Sequence, residues 1–387
     1  MDSVKFSNMF PGSVFLAGTP EYTATTTSYF AAFETELKPT CVVRPSSAQE
    51  LGKVIKHVED SNVKVAIKGG GHTAWAGSAN IDGGVLIDLQ NFKGVDLDRA
   101  TGVVSIGAGE RWGDVYQTLE KEGLTVAGGR VSKVGVRGIS YFSEQVGFVC
   151  DTVTSFEVVL GTGEVVKASN QHNEDLFVAL KGGNNNFGII TKIEIPTFAQ
   201  GPMWGGAVYY DASPWSSIVD LIYDFAASPD KSGAVIAARF HSPVMAGCVV
   251  NLYSNKVSDV SPTLKNMTSI QPPLLSTIRE DSHYGFAQEQ ANFSQDGARQ
   301  LFFTTSFKLS KDVMLKSAQL WEDAVKDLKD IAGFVLSLVF QPVTKQTLTE
   351  SKQRGGNALG LSPEDGPFMV LLLNSVHSLA TDDERVV

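Results

Sequence analysis

The most informative stretch of the sequence for fold and function is Val65-Ala-Ile-Lys-Gly-Gly-Gly-His72-Thr-Ala-Trp-Ala-Gly-Ser78. A short apolar run leads into three consecutive glycines, one histidine and a small-residue segment. Because glycines carry no side chain, backbone N–H groups in such a turn can converge on a bulky anion, typically a phosphate. A nucleotide kinase would end this turn with Gly-Lys-Ser/Thr. A dinucleotide fold would open a long helix here, whereas the strand-like run Val85–Leu89 follows almost at once.

Two later segments are also rich in glycine. The first is Val126-Ala-Gly-Gly-Arg130 followed by Val134-Gly-Val136, and the second is Gly182-Gly-Asn-Asn-Asn-Phe-Gly188-Ile-Ile190. Together with the glycine turn, these motifs resemble the vanillyl-alcohol-oxidase class of flavoproteins, FAD-linked oxidoreductases with a PCMH-type FAD-binding domain. Within that class the chain looks like the berberine-bridge-enzyme-like oxidases common in fungi. The resemblance is strong over residues 10–200 and weak over residues 200–376.

The resemblance implies that the glycine turn holds the FAD pyrophosphate and that His72 is bonded covalently to the flavin. Taken alone, His72 is more simply explained as a loop histidine hydrogen-bonded to backbone. Val131 stands where some relatives have a cysteine that makes a second flavin bond, so a single tether is implied. The residues that the resemblance assigns to FAD binding are Lys68, Gly69, Gly70, Gly71, His72, Thr73, Gly77, Ser78, Gly129, Arg130, Val134, Gly135, Gly138, Ile139, Gly188 and Ile190.

A second strand–glycine–helix pattern occurs at Val103–Gly109, followed by a predicted helix from about Trp112 to Glu120. It is half of a dinucleotide fingerprint. Trp112 is bulky where close backbone approach would be needed, and no acidic residue closes a following parallel strand. We therefore interpret Gly107-Ala-Gly109 as a structural turn, which disfavours a nicotinamide-dependent reductase.

The chain departs from the family pattern in two places. Relatives have a longer glycine-rich loop where this chain reads Val136-Arg137-Gly138-Ile139, and Arg137 stands where glycines are expected, although it could pair with a phosphate. Relatives also continue beyond Val387, often with the Tyr or Glu general base, so no catalytic base is assigned. From these departures we expect weak FAD binding and an exposed apolar edge strand at Phe368–Leu373.

The predicted architecture is an α+β fold with two domains. Residues 1–36 form an N-terminal arm, residues 37–198 a PCMH-type FAD-binding domain, and residues 199–387 a substrate domain that appears C-terminally truncated. In the second part Cys41–Val43, a helix capped by Ser47 and Val63–Ile67 form a β-α-β unit that ends in the glycine turn. The third part combines strand-like runs with two amphipathic helices, which indicates an antiparallel sheet covered by helices on one face.

Composition narrows the classes of partner. The 387 residues carry a formal net charge of −10, which argues against nucleic acid because phosphate neutralisation needs a basic face. The three cysteines show neither zinc spacing nor a disulfide framework, and no metal site is predicted. No apolar run is long enough for a membrane span, and the first residues do not resemble a signal peptide. The compartment and the oligomeric state stay open.

The function that the resemblance implies is oxidation of a small organic substrate, which is an alcohol, sugar, amine or secondary metabolite. A hydride would pass to the covalently bound FAD and the electrons then to dioxygen, giving hydrogen peroxide; the cofactor carries the electron chemistry. The alternative is a non-catalytic or truncated remnant of the family, which keeps the fold and binds FAD poorly. An active flavoprotein would be purified yellow, and the remnant would be colourless.

Overall fold

The computed structural model describes residues 3–136, 138–293 and 295–386. Within them the chain forms two small sheets at its N-terminal side and one large sheet at its C-terminal side. Mixed helix and antiparallel sheet confirm the predicted α+β class. Short 3₁₀ turns occur at Leu89–Asn91, Val149–Thr152, Pro363–Asp365 and Ala380–Asp382.

The first sheet carries the glycine turn. Its strands are β1 (Val14–Leu16), β2 (Cys41–Val43), β3 (Val65–Lys68) and β4 (Val85–Asp88), in the order β1-β2-β4-β3. Strand β4 lies between β2 and β3 and runs parallel to both, while β1 pairs antiparallel with β2. The N-terminal arm is thus joined to this sheet by backbone hydrogen bonds. The helices of this region are α1 (Ser3–Met9), α2 (Pro20–Thr26), α3 (Ala32–Thr35) and α4 (Ala48–Asp60).

Helix α4 shows why the local sequence folds as predicted. The Ser47 side chain accepts a hydrogen bond from the Glu50 backbone N–H, which caps the first turn. The Glu50 carboxylate accepts from Ser46 and Ser13, so only half of the predicted capping box forms. The apolar face Leu51, Val54, Ile55 and Val58 is buried. The chain leaves the helix through Asn62, whose φ of 50° is left-handed.

The second sheet is antiparallel and has the order β5-β6-β10-β8-β9. Its strands are β5 (Val95–Asp98), β6 (Val103–Gly107), β8 (Ser155–Val159), β9 (Val165–Ser169) and β10 (Ile189–Pro196). A separate antiparallel pair consists of β7 (Leu124–Thr125) and β11 (Phe198–Ala199). The accompanying helices are α5 (Trp112–Glu120), α6 (Ser143–Val146) and α7 (Glu174–Leu180). Helix α5 has the predicted limits.

The large sheet runs in the order β15-β12-β14-β13-β18-β19-β17, with β16 beside β12. Its core lies between one sheet face and helices α8 and α11. The strands are β12 (Met203–Tyr210), β13 (Gly233–His241), β14 (Ala246–Ser254), β15 (Leu275–Ser276), β16 (Arg279–Asp281), β17 (Arg299–Lys308), β18 (Val335–Val343) and β19 (Phe368–His377). The helices are α8 (Trp215–Ala227), α9 (Pro262–Asn266), α10 (His283–Ala291), α11 (Lys311–Leu328), α12 (Lys345–Gln353) and α13 (Asp383–Val386).

The expected exposed edge at Phe368–Leu373 is wrong. Strand β19, which contains this run, lies between β18 and β17 and is hydrogen-bonded on both sides. The edge strand is β17 instead, and its middle residues Thr304, Thr305 and Ser306 are exposed and polar. Polar side chains on the outer strand protect the apolar strand beside it from pairing with other chains. Among the described residues, no helix has the length and apolar content needed to cross a bilayer.

Candidate functional site

The glycine turn after β3 exposes a row of backbone donors. In the described part of the chain, the N–H groups from Gly69 to Thr73 find no acceptor on the protein. Gly71 has a left-handed φ of 66°, a conformation that favours glycine. A side chain on Gly69 would meet open space, with its nearest atom at 3.9 Å. Successive unpartnered N–H groups in a glycine turn form a cradle for an anion.

The second glycine motif packs directly against this turn. A Cβ atom placed on Gly70 would lie 2.8 Å from the backbone nitrogen of Gly135, so the two backbones touch without an intervening side chain. Arg111 fastens the contact, because its guanidinium donates to the Gly70 carbonyl at 3.1 Å and to the Lys133 carbonyl at 2.9 Å. Sequence reasoning missed Arg111. It lies 41 residues after Gly70 in a segment interpreted as structural, and no local signal marked it.

His72 is held in a dry position at the end of the turn. Its imidazole ring stacks on Phe30, with centroids 4.0 Å apart and planes inclined by 21°. Its Nε2 atom is buried and has no hydrogen-bond partner among the described residues. Burial lowers the pKa of His72 to about 4, so the ring is neutral at pH 7. A neutral imidazole keeps a lone pair on one ring nitrogen.

The N-terminal arm supports the turn from behind. The Phe30 backbone N–H donates to the Gly71 carbonyl at 2.9 Å. The Lys68 ammonium donates to the Thr25 carbonyl and the Ser28 hydroxyl, both at 2.7 Å, and lies 4.2 Å from the centre of the Tyr29 ring. Burial lowers the pKa of Lys68 to about 8. The Lys68 side chain, assigned to FAD on sequence grounds, is thus occupied within the protein.

The backbone N–H groups at the other end of this loop also have hydrogen-bond partners within the protein. The backbone N–H groups of Ser78 and Ala79 donate to one carboxylate oxygen of the buried Glu34, at 3.0 and 2.8 Å. Desolvation raises the pKa of Glu34. Gly77 is exposed, has a φ of 78° and faces open space. The structure therefore places Gly77 and Ser78 at the anchored end of the loop, and the unpartnered donors at its glycine end.

The second motif continues from the cradle toward the large sheet. The Tyr116 hydroxyl donates to the Gly129 carbonyl at 2.6 Å, and Arg130 Nη2 donates to Oε1 of Gln341 on β18. Gly138 approaches closely, since a Cβ atom on it would lie 3.4 Å from the Gly129 Cα. Ile139 packs in an apolar cluster with Phe148, Val343 and Leu348. Arg137 lies outside the described residues, so its expected role and the expectation of weak FAD binding stay predictions.

Gly188 and Ile190 are partly buried at the start of β10 and pack against the second sheet. A Cβ atom on Gly188 would come within 2.6 Å of Val158, and Ile190 packs against the core of this sheet. Their connection to the cradle is indirect. The Thr191 carbonyl accepts from the Ala108 N–H at 2.9 Å, and the Ala108 carbonyl is the atom nearest to a Cβ on Gly69. These two residues shape the site through packing.

One face of the large sheet presents polar groups near the cradle. Asn374 on β19 pairs with Ser337 on β18 and with Phe302 on β17, and the Phe302 ring lies 5.5 Å from the Phe30 ring that covers His72. The Asn374 Oδ1 atom is buried without a partner in the described residues. Gln341, four residues along β18 from Ser337, shares this face. Sequence reasoning missed Asn374; the available signal was a polar residue after the apolar run of β19.

Comparisons with known proteins agree with this geometry. A family model described as an FAD binding domain matches residues 39–169. An FAD-dependent monooxygenase of Cochliobolus heterostrophus is 33% identical over 380 residues, covering 93% of this chain and 73% of the relative. An FAD-dependent monooxygenase of Fusarium proliferatum is 31% identical over 379 residues, covering 93% of this chain and 73% of the relative.

Solved structures show the same fold at low sequence identity. The xylooligosaccharide oxidase of Myceliophthora thermophila superposes with a TM-score of 0.80 at 19% identity, over 98% of this chain and 84% of that one. The 6-hydroxy-D-nicotine oxidase of Arthrobacter nicotinovorans gives a TM-score of 0.79 at 19% identity, over 97% and 83%. A berberine bridge enzyme variant gives 0.78 at 14% identity, over 99% of this chain and 80% of that one.

These likenesses define the class as FAD-binding oxidoreductases with the vanillyl-alcohol-oxidase fold. The chain belongs to the FAD-linked oxidoreductases that include the fungal FAD-dependent monooxygenases, it shares its fold with the berberine bridge enzyme, and it is an FAD-dependent enzyme.

Proposed function

We propose that the enzyme oxidises a small organic molecule by hydride transfer to an FAD that is bonded to His72 and reoxidised by dioxygen. The observation that carries this proposal is the row of unpartnered N–H groups from Gly69 to Thr73 beside a neutral His72 with an orphaned ring nitrogen. An anion cradle next to a nucleophilic side chain suits a cofactor that contains both a pyrophosphate and an electrophilic ring system.

The residues present fit FAD along one continuous surface. The N–H groups of the glycine turn would hold the pyrophosphate. The backbone of Gly129, Val134 and Gly135 would lie along the isoalloxazine, because these residues come closest to the turn or follow it toward the sheet. When bound, FAD supplies the hydride acceptor, and the protein supplies binding and orientation. We propose residues 37–198 as the cofactor domain and residues 199–387 as the substrate domain.

The substrate would lie between this surface and the polar face of the large sheet. Phe30 and Phe302 close the His72 end by an edge-on contact, which limits water access there. The orphaned Asn374 Oδ1 would accept a hydrogen bond from a substrate hydroxyl or amine, since a buried acceptor without a donor costs about 1–3 kcal/mol. Gln341 lies farther along the same face. No general base is assigned.

The tether is tested by acid precipitation of the purified, yellow protein. We expect flavin fluorescence to remain on the denatured chain and to map to a peptide containing His72, and His72→Ala should release all flavin into the supernatant. His57→Ala is the matched control, because His57 also stacks on an aromatic residue of the arm, Phe6, at 5.2 Å. Flavin attached to Cys41, Cys150 or Cys248 would contradict the assignment.

The names of the fungal relatives support a second reaction type, monooxygenation, in which one oxygen atom enters the product. The two reactions differ in the fate of dioxygen. Turnover under ¹⁸O₂ distinguishes them: an oxidase forms labelled hydrogen peroxide in equal amount to oxidised product, whereas a monooxygenase forms labelled product and water. A strict requirement for NAD(P)H would contradict the oxidase proposal.

A further inference from the structure

Arg130 connects the cofactor surface to the sheet that faces it. It follows Gly129 in the second glycine motif, and its guanidinium donates to the side-chain oxygen of Gln341 on β18. Its own carbonyl accepts from the Tyr141 hydroxyl at 3.1 Å, which fixes the backbone from which the side chain extends. The positive charge therefore lies at the boundary between the proposed cofactor and substrate regions.

Arg130 differs in its partner from Arg239, the buried arginine of the same sheet. Arg239, on the opposite face of the same sheet, is paired with Glu322 and lies between the rings of Trp215 and Trp321. Among the described residues, no carboxylate lies within ion-pair distance of Arg130. The phenols of Tyr141 and Tyr253 act on its pKa, which burial lowers. The Glu144 carboxyl lines the same small cavity, but it accepts hydrogen bonds from Thr344 and Thr347 and is not paired with Arg130. A guanidinium has five N–H donors, and here the described contact is with a neutral amide.

A partly buried cation such as Arg130 is unfavourable without a counterion, because part of its hydration is removed and no carboxylate of the described residues replaces it. Natural proteins retain such a charge where a ligand supplies the anion. A guanidinium matches planar carboxylates through two parallel hydrogen bonds and also binds a single oxyanion strongly. Tyr141 and Tyr253, whose ring centres lie 4.3 Å apart, provide an aromatic wall beside the charge.

We propose that Arg130 binds an anionic group of the substrate, a carboxylate or phenolate oxygen, and so makes the enzyme selective for acidic aromatic molecules over neutral ones. This inference rests on the proposed function, because it places the substrate between the FAD surface and the β18–β19 face. It assigns the substrate class that the sequence leaves open.

The test uses benzoate and 4-nitrophenolate as anionic probes and benzamide as the neutral match, with binding followed by calorimetry and by the visible flavin spectrum. We expect benzoate to bind the unmodified enzyme at least tenfold more tightly than benzamide. Arg130→Met should abolish that preference, and Arg130→Lys should keep part of it. Arg239→Met is the control and should keep the full preference, since its charge is paired on the other sheet face.

Equal binding of benzoate and benzamide to the unmodified enzyme would overturn the inference, as would a preference that survives in Arg130→Met. A further measurement tests whether Arg130 binds an anionic group of the flavin instead of one of the substrate. If Arg130→Met weakens the sulfite adduct of the flavin at least tenfold while benzoate binding is unchanged, the charge serves the cofactor and the substrate assignment is wrong. A colourless protein that still prefers benzoate would count against the proposed FAD function and support the anion site.

Discussion

The two glycine turns of the cofactor domain look alike in sequence and differ in what their glycines do. In the turn after β3, the N–H groups from Gly69 to Thr73 have no protein acceptor in the described residues. In the turn after β6, the N–H groups of Gly107, Ala108 and Gly109 donate to the carbonyls of Gly94, Thr191 and Phe92 at 2.9–3.0 Å. The backbone donors of the first turn therefore remain available for the proposed FAD, whereas those of the second turn are hydrogen-bonded to neighbouring strands and loops.

The two turns also differ in the space around their glycines. A Cβ atom on Gly107 would lie 2.2 Å from the Phe92 carbonyl oxygen, and one on Gly109 would lie 2.3 Å from that of Leu89. The following helix gives no free N-terminus either, because Trp112 and Gly113 donate to the carbonyls of Val134 and Ser132. Glycine thus permits close packing at Gly107 and Gly109 in the second turn and at Gly70 in the first, whereas a Cβ on Gly69 would have no neighbour closer than 3.9 Å. The interpretation of Gly107–Gly109 as a structural turn agrees with these contacts.

The largest expected effect comes from adding a methyl group to the packed turn. Gly109→Ala places a Cβ against a backbone carbonyl that cannot rotate away, so we expect a loss of roughly 3 kcal/mol in the free energy of unfolding. Thermal unfolding of the FAD-free protein checks this. Gly161→Ala is the control, since a Cβ there meets nothing within 4 Å. A stability loss below about 0.5 kcal/mol would mean that the second turn is not a packing device.

In the open turn, the same substitution should act on cofactor binding more than on stability. Gly70→Ala pushes a Cβ against the backbone of Gly135 and separates the two motifs that form the proposed FAD surface. We expect FAD occupancy to fall at least tenfold, with a stability loss of about 1 kcal/mol in the FAD-free protein. The ratio of absorbance at 450 nm to that at 280 nm measures occupancy. Full occupancy in Gly70→Ala would remove the distinction between the turns.

The residue that ends each turn gives a third difference, which depends on pH. Glu110 ends the second turn, tied to Gly94 N–H and Lys93, whereas the dry His72 ends the first. Since burial lowers the pKa of His72 from 6.5 to about 4, its stabilising contribution is complete above pH 6.5 and is lost as pH falls through about 4. The loss amounts to roughly 3 kcal/mol at most.

Removing the stacked ring should shift that pH dependence. Phe30→Ala would admit water to His72 and raise its pKa toward 6.5, so covalent flavin incorporation should decline below about pH 6.5. In the unmodified chain, incorporation should be constant from pH 8 to pH 5. Acid-stable flavin fluorescence after incubation at each pH measures it, and Phe6→Ala, which uncovers His57, is the control. Identical profiles in both variants would show that Phe30 does not control His72.

Local patterns predicted much of this structure, and long-range pairing accounts for what they missed. The glycine turn, helix α4 and helix α5 depend on residues close together in the chain, so caps and periodicity suffice. The apolar run of β19 is predicted at an edge because relatives continue beyond Val387, but it pairs with β17, for example Asn374 with Phe302, across about 70 residues of chain. Glu34, Phe30 and Arg111 support the site from distant segments, and their residue types alone carry no such signal.

The smallest expected effect concerns Arg111, which physically joins the two turns. It directly precedes helix α5 after the packed turn, while its guanidinium donates to the carbonyls of Gly70 and Lys133 beside the open one. Because Arg111 and both carbonyls are only partly buried, water can replace its two hydrogen bonds in Arg111→Met, so we expect a stability loss below about 1 kcal/mol and a roughly fivefold fall in FAD affinity. Titration of the FAD-free protein with FAD, followed by fluorescence quenching, measures the change. Arg99→Met is the control, because Arg99 is exposed and its pair with Glu122 contributes little. Unchanged FAD affinity in Arg111→Met would show that the open turn keeps its shape without support from the packed one.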